Sequence, residues 1–185
     1  VIRACYSQDL HGQSILITAG PTQEALDPVR YITNHSSGKM GIALAQECTR
    51  RGAKVTLVLG PCSTPLPYGT AEKVINVVSA RQMYEATTKE WSSQKAAILC
   101  AAVADYTPTQ QTDQKIMKVP GRQGLDLHLT ETQDIAAALG SNKTAGQRLI
   151  GFALETENEE ANANKKLISK NLDLIVLNSL QDKGA

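Results

Sequence analysis

The sequence lacks an excess of charge of either sign. Its 185 residues include 19 lysines and arginines against 18 aspartates and glutamates, which gives a formal net charge of +1. Proteins that bind nucleic acid or anionic membranes through electrostatics carry a basic excess, so neither partner is expected. Aromatic residues make up only 4% of the chain, which leaves little material for a surface that stacks on bases.

Long hydrophobic runs are also absent. The apolar run at residues 96–104 is well short of the roughly 20 residues that span a bilayer. The N-terminus has no hydrophobic segment of a signal peptide. Glycine and proline, with 13 and 7 residues, are too few for a collagen-like or disordered chain. The length suits a single domain with one substantial core, and we expect a soluble, cytoplasmic protein.

Cysteines and histidines occur without the spacing of a zinc site. The four cysteines include no C-x-x-C pair, and the three histidines are equally dispersed. No structural metal is therefore expected. Cys48 and Cys100 lie in apolar stretches and are predicted to be small core residues.

Strand and helix patterns alternate along the chain. Short apolar runs, typical of strands buried on both faces, occur at 14–18, 54–59, 73–78, 96–101, 148–152 and 172–177. Helical periodicity occurs at 38–51, 80–92, 134–139 and 158–170. Gly52 is placed to end the first helix, and the strict alternation at 125–129 predicts a half-exposed strand or hairpin arm. The pattern predicts a three-layer α/β domain with a mostly parallel sheet.

Such sheets bind ligands beyond the carboxyl ends of their strands, so the loops at those ends hold the candidate site. Residues 34–41, NHSSGKMG, precede a predicted helix and combine hydroxyls with glycines, which suits a phosphate at a helix N-terminus. An ordinary serine N-cap explains the same residues equally well. Neither a G-x-G-x-x-G fingerprint nor a P-loop is present.

A second candidate loop is formed by residues 100–106, CAAVADY. Its small residues let a planar ligand approach the backbone, whose amides can then bind a base edge. Asp105 can bind a ribose or hold a metal through water. Lys115 suits the neutralisation of charge in nucleotidyl transfer, but composition alone favours solvated loop cations at Lys115 and Lys118. Arg30 and Asn34 are ambiguous by themselves.

Six segments together resemble the signature of one enzyme family. They occur in order at residues 18–22 (TAGPT), 27–41 (DPVRYITNHSSGKMG), 100–106 (CAAVADY), 115–118 (KIMK), 151–156 (GFALET) and 170–175 (KNLDLI). With these segments the sequence resembles the bacterial type of phosphopantothenate–cysteine ligase, also called phosphopantothenoylcysteine synthetase. The resemblance runs from about residue 10 to the end of the sequence.

The resemblance implies a Rossmann-like α/β/α domain that acts in coenzyme A biosynthesis. In that family CTP and 4′-phosphopantothenate give an acyl-cytidylate and pyrophosphate, and L-cysteine then displaces CMP to form an amide. The resemblance also implies Mg²⁺ with the CTP, and a cytoplasmic homodimer whose active site is completed across the interface. It further implies fusion to a flavin-dependent decarboxylase, which alone would hold FMN. Residues 1–12 are expected to be a linker remnant, and residues 13–185 the ligase domain, shortened at its C-terminal end.

The resemblance assigns roles to individual residues as well. Asn34 and Lys115 are expected to be catalytic, Asn34 in the conversion of the acyl-cytidylate when cysteine attacks and Lys115 in the activation of the carboxylate. Arg30, Asn34 and Ala102 are expected to bind the phosphopantothenate. Metal ligands are not identified. The expected nucleotide-binding residues are Ser36, Ser37, Gly38, Cys100, Ala101, Asp105, Lys115, Gln133, Asp134, Ile135, Ala136, Phe152, Lys166 and Lys170. The family often has proline where Gln133 stands, so this turn is expected to be less rigid.

Two other functions stay open. A nicotinamide-dependent reductase would share the Rossmann fold, but the glycine fingerprint and a Tyr-x-x-x-Lys motif are missing. A non-catalytic nucleotide-sensing module would share the nucleotide-binding residues, but it would not need the loop cation Lys115 together with Asn34. The residues favour the ligase.

Overall fold

A computed structural model describes residues 6–118, 120–121 and 123–179. Each of the six predicted long strands and the four predicted helices is present. In chain order the elements are β1 (Ser14–Ala19), β2 (Gln23–Ala25), β3 (Tyr31–Thr33), α1 (Lys39–Arg50), β4 (Lys54–Leu59), β5 (Lys73–Asn76), α2 (Ala80–Trp91), β6 (Ala96–Leu99), β7 (Tyr106–Pro108), β8 (Leu129–Glu131), α3 (Ile135–Ser141), β9 (Arg148–Glu155), α4 (Glu159–Ser169) and β10 (Leu174–Ser179).

Six strands form one parallel sheet in the order β5-β4-β1-β6-β9-β10. The chain first moves outward from β1 to β5, then returns to the other side of β1 and moves outward again to β10. This is the strand order of a doubly wound Rossmann fold, with its topological switch point between β1 and β6. The predicted α/β class is confirmed.

Helices cover both faces of the sheet because the central strands are apolar on both sides. On one face, α1 buries Ile42 and Cys48 against Ile17 of β1, as predicted for Cys48. On the other face α2 and α3 pack together, and the indole Nε1 of Trp91 donates to the Leu139 carbonyl over 3.1 Å. The fourth helix, α4, packs on β9 and β10. The result is the predicted three-layer architecture.

Local signals fix where the helices begin and end. Ser79 and Gln82 form a capping box at the start of α2. The Asp134 side chain accepts a hydrogen bond from the Ala137 amide, 2.9 Å away, at the start of α3. Gly52, with a φ of 94°, follows α1 as predicted for a residue that ends a helix. In the part of the chain that the structure describes, no helix is long and apolar enough to cross a membrane.

Two small antiparallel sheets lie beside the main sheet. Residues 125–128 form no strand, contrary to the prediction from their alternation. The strand β8 begins only at Leu129 and pairs with β7, while β2 pairs with β3. No sequence pattern predicts the β2–β3 pair, because strands of three residues are too short to show a period. The two small sheets touch through β2 and β7.

Residues 6–12 pack against the C-terminal end of α1. The Leu10 amide donates to the Arg51 carbonyl over 3.0 Å, and Asp9 forms an ion pair with the Arg51 side chain. The Arg50 guanidinium lies 5.7 Å from the centroid of the Tyr6 ring. The described part of the expected linker remnant therefore contacts the domain. Residues 1–5 and 180–185 lie outside the described residues, and the domain boundary stays a prediction.

Candidate active site

A cavity of about 480 Å³ opens beyond the carboxyl ends of β1 and β6 and beside the middle of β9, next to the switch point. Thr18 and Leu99 line it from the ends of β1 and β6, and Gly151 and Phe152 line it from β9. The first turn of α3 and the last turn of α4 border it on another side. Doubly wound folds bind their ligands at this place, so the cavity is the first candidate site.

The loop after β6 is held by threonine hydroxyls. The Ala101 amide donates to Thr18 Oγ1 over 3.2 Å, and the Ala104 amide donates to Thr22 Oγ1 over 3.0 Å. The Ala102 amide donates to the Gly20 carbonyl, also over 3.0 Å. These three amides are therefore hydrogen-bonded within the protein, and the expectation that amides of this loop bind a base edge stays a prediction. The loop also offers its small side chains as a surface.

Cys100 lies half-buried at the root of the same loop. Burial raises the pKa of the Cys100 thiol to about 11. The side chain therefore stays a neutral thiol at physiological pH, which makes it a poor nucleophile. Cys100 does not belong to the fully buried core, in contrast to the prediction, because the strand β6 ends at Leu99.

The first turn of α3 brings four of the expected nucleotide-binding residues to the cavity. Gln133, Asp134, Ile135 and Ala136 all line it. Burial by itself would raise the pKa of Asp134, but hydrogen bonds from the Ala137 amide and Lys170 outweigh it and hold the pKa below its usual value. The carboxylate is therefore charged at neutral pH.

Two lysines reach the cavity from α4 and its end, and each forms an ion pair at the rim. Lys166 Nζ lies 2.5 Å from Glu155 Oε1, and Lys170 Nζ lies 2.9 Å from Asp134 Oδ2. The residues lining the cavity carry two ammonium groups, from Lys166 and Lys170, and three carboxylates, from Asp105, Glu131 and Asp134. The lining therefore has a formal charge of −1.

Asn34 follows β3 and reaches the outer side of the loop after β6. Its Nδ2 donates to the Val103 carbonyl over 2.9 Å, and Val103 itself lines the cavity. The amide group of Asn34 thus stands next to the cavity with its oxygen still available as an acceptor. Val103 therefore lies between this expected catalytic residue and the cavity.

The residues before α1 lie apart from the cavity. Gly38 is the N-cap, with a left-handed φ of 77°, and no side chain caps the helix there. The Ser36 and Ser37 hydroxyls instead accept from the amides of Gly38 and Lys39, over 3.3 and 3.4 Å. The alternative of an ordinary serine N-cap is therefore wrong. Asn34 and Ser36 border a separate depression that Cys62 also lines.

Arg30 and Lys115 lie on a second side of the site. Arg30 forms an ion pair with the buried Asp27, and its Nη2 donates to the Ile116 carbonyl over 2.6 Å. Lys115, next in the chain to Ile116, is exposed. A groove formed by Arg30, Ile116 and Met117 adjoins these residues. The expected catalytic cation Lys115 and the expected substrate-binding residue Arg30 are thus neighbours, outside the 480 Å³ cavity.

With this geometry in place, comparison with known proteins gives a decisive match. Residues 10–185 match the model of the family described as "DNA/pantothenate metabolism flavoprotein C-terminal domain". The chain belongs to this family. The family model covers the same residues as the resemblance to phosphopantothenate–cysteine ligase, which begins at about residue 10. The family assignment made from the motifs is therefore confirmed.

Relatives in the flavoprotein C-terminal domain family are longer proteins. The chain is 52% identical over 176 residues to a cysteine/cysteine sulfinic acid decarboxylase from an unknown prokaryotic organism. It is 48% identical over 179 residues to the coenzyme A biosynthesis bifunctional protein CoaBC of Bacillus subtilis. The matches cover 95% and 97% of this chain but only 48% and 43% of the two relatives, so the chain spans about half of their length or less.

A solved structure shows the same fold. The crystal structure of the C-terminal domain of a coenzyme A biosynthesis bifunctional protein CoaBC superposes with a TM-score of 0.80 at 43% sequence identity. The superposition covers 93% of this chain and 80% of that one. It supports the Rossmann-like α/β assignment for this member of the family.

The structure gathers most of the expected nucleotide-binding residues in one place. The nine that line the cavity are Ala101, Asp105, Gln133, Asp134, Ile135, Ala136, Phe152, Lys166 and Lys170. Those outside it are Ser36, Ser37, Gly38, Cys100 and Lys115, and the expected substrate residues Arg30, Asn34 and Ala102 also lie outside it. Sequence reasoning gave no role to Thr18, Thr22, Asp27 and Glu155, although all four lie in the family segments. A threonine at or just after a strand end is a weak signal, and the carboxylates have partners that only the fold reveals.

Proposed function

We propose that this chain is the ligase domain that joins 4′-phosphopantothenate to L-cysteine through an acyl-cytidylate in coenzyme A biosynthesis. The observation that carries the proposal is the convergence of nine expected nucleotide-binding residues on one cavity at the switch point, in a member of this family. The names of the CoaBC relatives support the place in coenzyme A biosynthesis. The use of CTP as the nucleotide is part of the proposal.

The first half-reaction makes the acyl-cytidylate. A carboxylate oxygen of phosphopantothenate attacks the α-phosphorus of CTP, the bond to the bridging oxygen breaks, and pyrophosphate leaves. Two anions must approach each other, so the reaction needs positive charge near the attacking oxygen. We assign this task to the exposed Lys115, and a part in the binding of phosphopantothenate to the neighbouring Arg30.

The second half-reaction makes the amide. The amine of L-cysteine attacks the acyl carbon, CMP leaves with the electron pair of the C–O bond, and the new amide nitrogen loses a proton. Asn34 is held against the Val103 carbonyl at the edge of the cavity. A neutral amide fixed in this way can orient the acyl group and stabilise the tetrahedral intermediate.

We propose that Mg²⁺ accompanies the nucleotide. A lining with a formal charge of −1 does not by itself attract a triphosphate, so a divalent cation is needed to balance the charge. Among the described residues no group of three or more His, Cys, Asp or Glu side chains could hold a metal on its own. This fits Mg²⁺, which is commonly bound by one or two carboxylates together with substrate phosphates. Asp105 and Glu131 are the carboxylates that would hold it.

We further propose that the protein acts as a homodimer and is fused to a decarboxylase domain. Met117 and Leu125 are exposed and line the Arg30 groove, Leu127 and Leu129 are exposed next in the chain, and a second copy could cover them. A partner decarboxylase domain would hold FMN, and the decarboxylase named among the relatives is about twice as long as the match. Sedimentation at micromolar concentration tests the dimer, and a monomer of about 20 kDa at these concentrations would contradict it.

Nucleotide-dependent thermal stabilisation tests the proposed nucleotide. With Mg²⁺, CTP should stabilise the protein more than ATP, and NADPH should not stabilise it. Stabilisation follows the logarithm of ligand concentration over Kd, so a tenfold difference in affinity gives about 1.4 kcal/mol at saturation. Equal shifts with CTP and ATP would contradict the specificity for CTP, and a shift with NADPH alone would favour a reductase. Binding of CTP without pyrophosphate release on addition of phosphopantothenate would favour a nucleotide sensor.

A further inference from the structure

A buried carboxylate lies outside the nucleotide cavity and belongs to none of the expected site residues. Asp27 is only 4% exposed. Its Oδ1 accepts from the Val29 and Arg30 amides, each 2.8 Å away. Its Oδ2 accepts from Arg30 Nε over 2.9 Å and from the Ile116 amide over 3.1 Å. One side chain therefore joins two segments that lie 89 residues apart in sequence.

Other bonds tie the same two segments together. Arg30 Nη2 donates to the Ile116 carbonyl, and the Thr112 amide donates to the Leu26 carbonyl over 3.2 Å. We call the group formed by Asp27, Arg30 and Ile116 the Asp27 clasp. Both hydrogen-bonding groups of the Ile116 backbone are fixed by the clasp, so the backbone position of Lys115, its immediate neighbour, is fixed as well.

The two oxygens of Asp27 do different work. The bonds to Oδ1 are those of a local turn that an asparagine also forms. The bonds to Oδ2 need a second acceptor and a negative charge, since two of their three donors belong to a guanidinium. Burial would raise the pKa of Asp27, but the hydrogen bonds from Val29, Arg30 and Ile116 outweigh it and hold the pKa far below its usual value. The second acceptor is thus permanently present at neutral pH.

We propose that Asp27 is a positioning residue that holds Lys115 beside the reacting carboxylate in the activation half-reaction. This inference rests on the proposed function. The clasp does not line the nucleotide cavity, so its loss should slow the formation of the acyl-cytidylate without weakening CTP binding. Misplacement of a reacting group by about 1 Å costs about 10²-fold in rate.

The substitution Asp27→Asn separates the two tasks. Asparagine keeps one acceptor for the local turn but presents an NH₂ group where Arg30 and Ile116 both donate. The matched control is Asp9→Asn, because Asp9 also pairs with an arginine, Arg51, at the far end of α1. A second variant, Ile116→Pro, removes the amide donor and leaves Asp27 and Arg30 unchanged.

The experiment measures three quantities in the full-length protein: pyrophosphate release with CTP and phosphopantothenate, the Kd of CTP, and hydrogen exchange of the Ile116 amide. For Asp27→Asn we expect about 10²-fold slower release, a Kd changed by less than about twofold, and faster exchange at Ile116. Ile116→Pro should slow release similarly, and Asp9→Asn should match the wild type in all three. In a Lys115→Gln background, Asp27→Asn should cause no further loss of rate, because the two residues act through one group.

Unchanged exchange at Ile116, unchanged pyrophosphate release, or independent losses in the double variant would each overturn the positioning role of Asp27. A wild-type protein that binds CTP but releases no pyrophosphate would instead overturn the proposed function. In that case the exchange measurement still shows whether Asp27 holds the segment of Lys115.

Discussion

The two sides of the candidate site are held in place by different means. On the nucleotide side, Thr18, Thr22 and Gly20 bind the loop after β6 through three separate hydrogen bonds. On the other side, the two oxygens of Asp27 accept hydrogen bonds from both segments of the clasp. The nucleotide side should therefore tolerate the loss of one contact in part, whereas a change of Asp27 alone removes most of the clasp's hydrogen bonds and should loosen it, leaving the bond from Arg30 to the Ile116 carbonyl.

The largest loss of stability is expected for a substitution of Gly60, which packs against Pro21 on the nucleotide side. A Cβ at Gly60 would lie 1.9 Å from the Pro21 carbonyl oxygen, and Pro21 bridges to Ala102. Because backbone has to move, Gly60→Ala should lower the free energy of unfolding by about 3 kcal/mol. Urea denaturation measures this change in the free energy of unfolding. In the control Gly69→Ala, no atom lies within 4 Å of the new methyl group, and its φ of +76° should cost only about 1 kcal/mol. Equal losses would contradict the steric explanation.

The next largest loss of stability is expected when a single contact of the nucleotide side is removed. Thr22→Val keeps the shape of the fully buried side chain but leaves the buried Ala104 amide without its acceptor. The free energy of unfolding should fall by about 2 kcal/mol, and calorimetry should show weaker CTP binding with unchanged exchange at Ile116. The control Thr88→Val removes a hydroxyl that bonds only within α2. If Thr22→Val accelerated exchange at Ile116, the two sides would not be independent.

The pH dependence of stability compares the carboxylates of the two sides. Asp27 and Asp134 both have a lowered pKa. Each therefore contributes stability that is complete above the unfolded pKa of about 3.9 and is lost as the pH falls through the folded value. The melting temperature should be nearly constant from about pH 7 to 5 and should fall below about pH 4. Asp27→Asn should flatten this acid dependence more than Asp134→Asn, because more donors surround Asp27. Equal flattening of the acid dependence by the two substitutions would contradict the larger contribution of Asp27.

The smallest effect on stability is expected at Lys170. Its ion pair with Asp134 is partly exposed, so Lys170→Gln should change the free energy of unfolding by less than about 1 kcal/mol. The affinity for CTP should nevertheless fall, because the lysine lines the cavity. The control Lys73→Gln removes a comparable surface pair with Glu90, away from the site. An unchanged CTP affinity in Lys170→Gln would remove Lys170 from the nucleotide site.

The sequence predicts the main sheet well because its strands are apolar on both faces and therefore appear as continuous runs, as at residues 54–59. It predicts nine of the cavity residues through the resemblance to the family, whose matching positions lie after β6, around the start of α3, within β9 and in or just after α4. The clasp could not be predicted, since Asp27 beside Pro28 resembles an ordinary turn and its decisive partner, Ile116, is distant in sequence. The ion pairs of Lys166 and Lys170 depend in the same way on which carboxylates the fold brings near them.

The most direct test of the central claim, a two-step ligation with Lys115 and Asn34 in different half-reactions, is a quenched single-turnover experiment with labelled CTP. It compares Lys115→Gln with Asn34→Asp in the full-length protein. Lys115→Gln should suppress pyrophosphate release whether or not cysteine is present. Asn34→Asp should release about one equivalent and retain an acyl-cytidylate that cysteine discharges about 10²–10³-fold more slowly. Accumulation of the intermediate in both variants, or in neither, would contradict this division of roles.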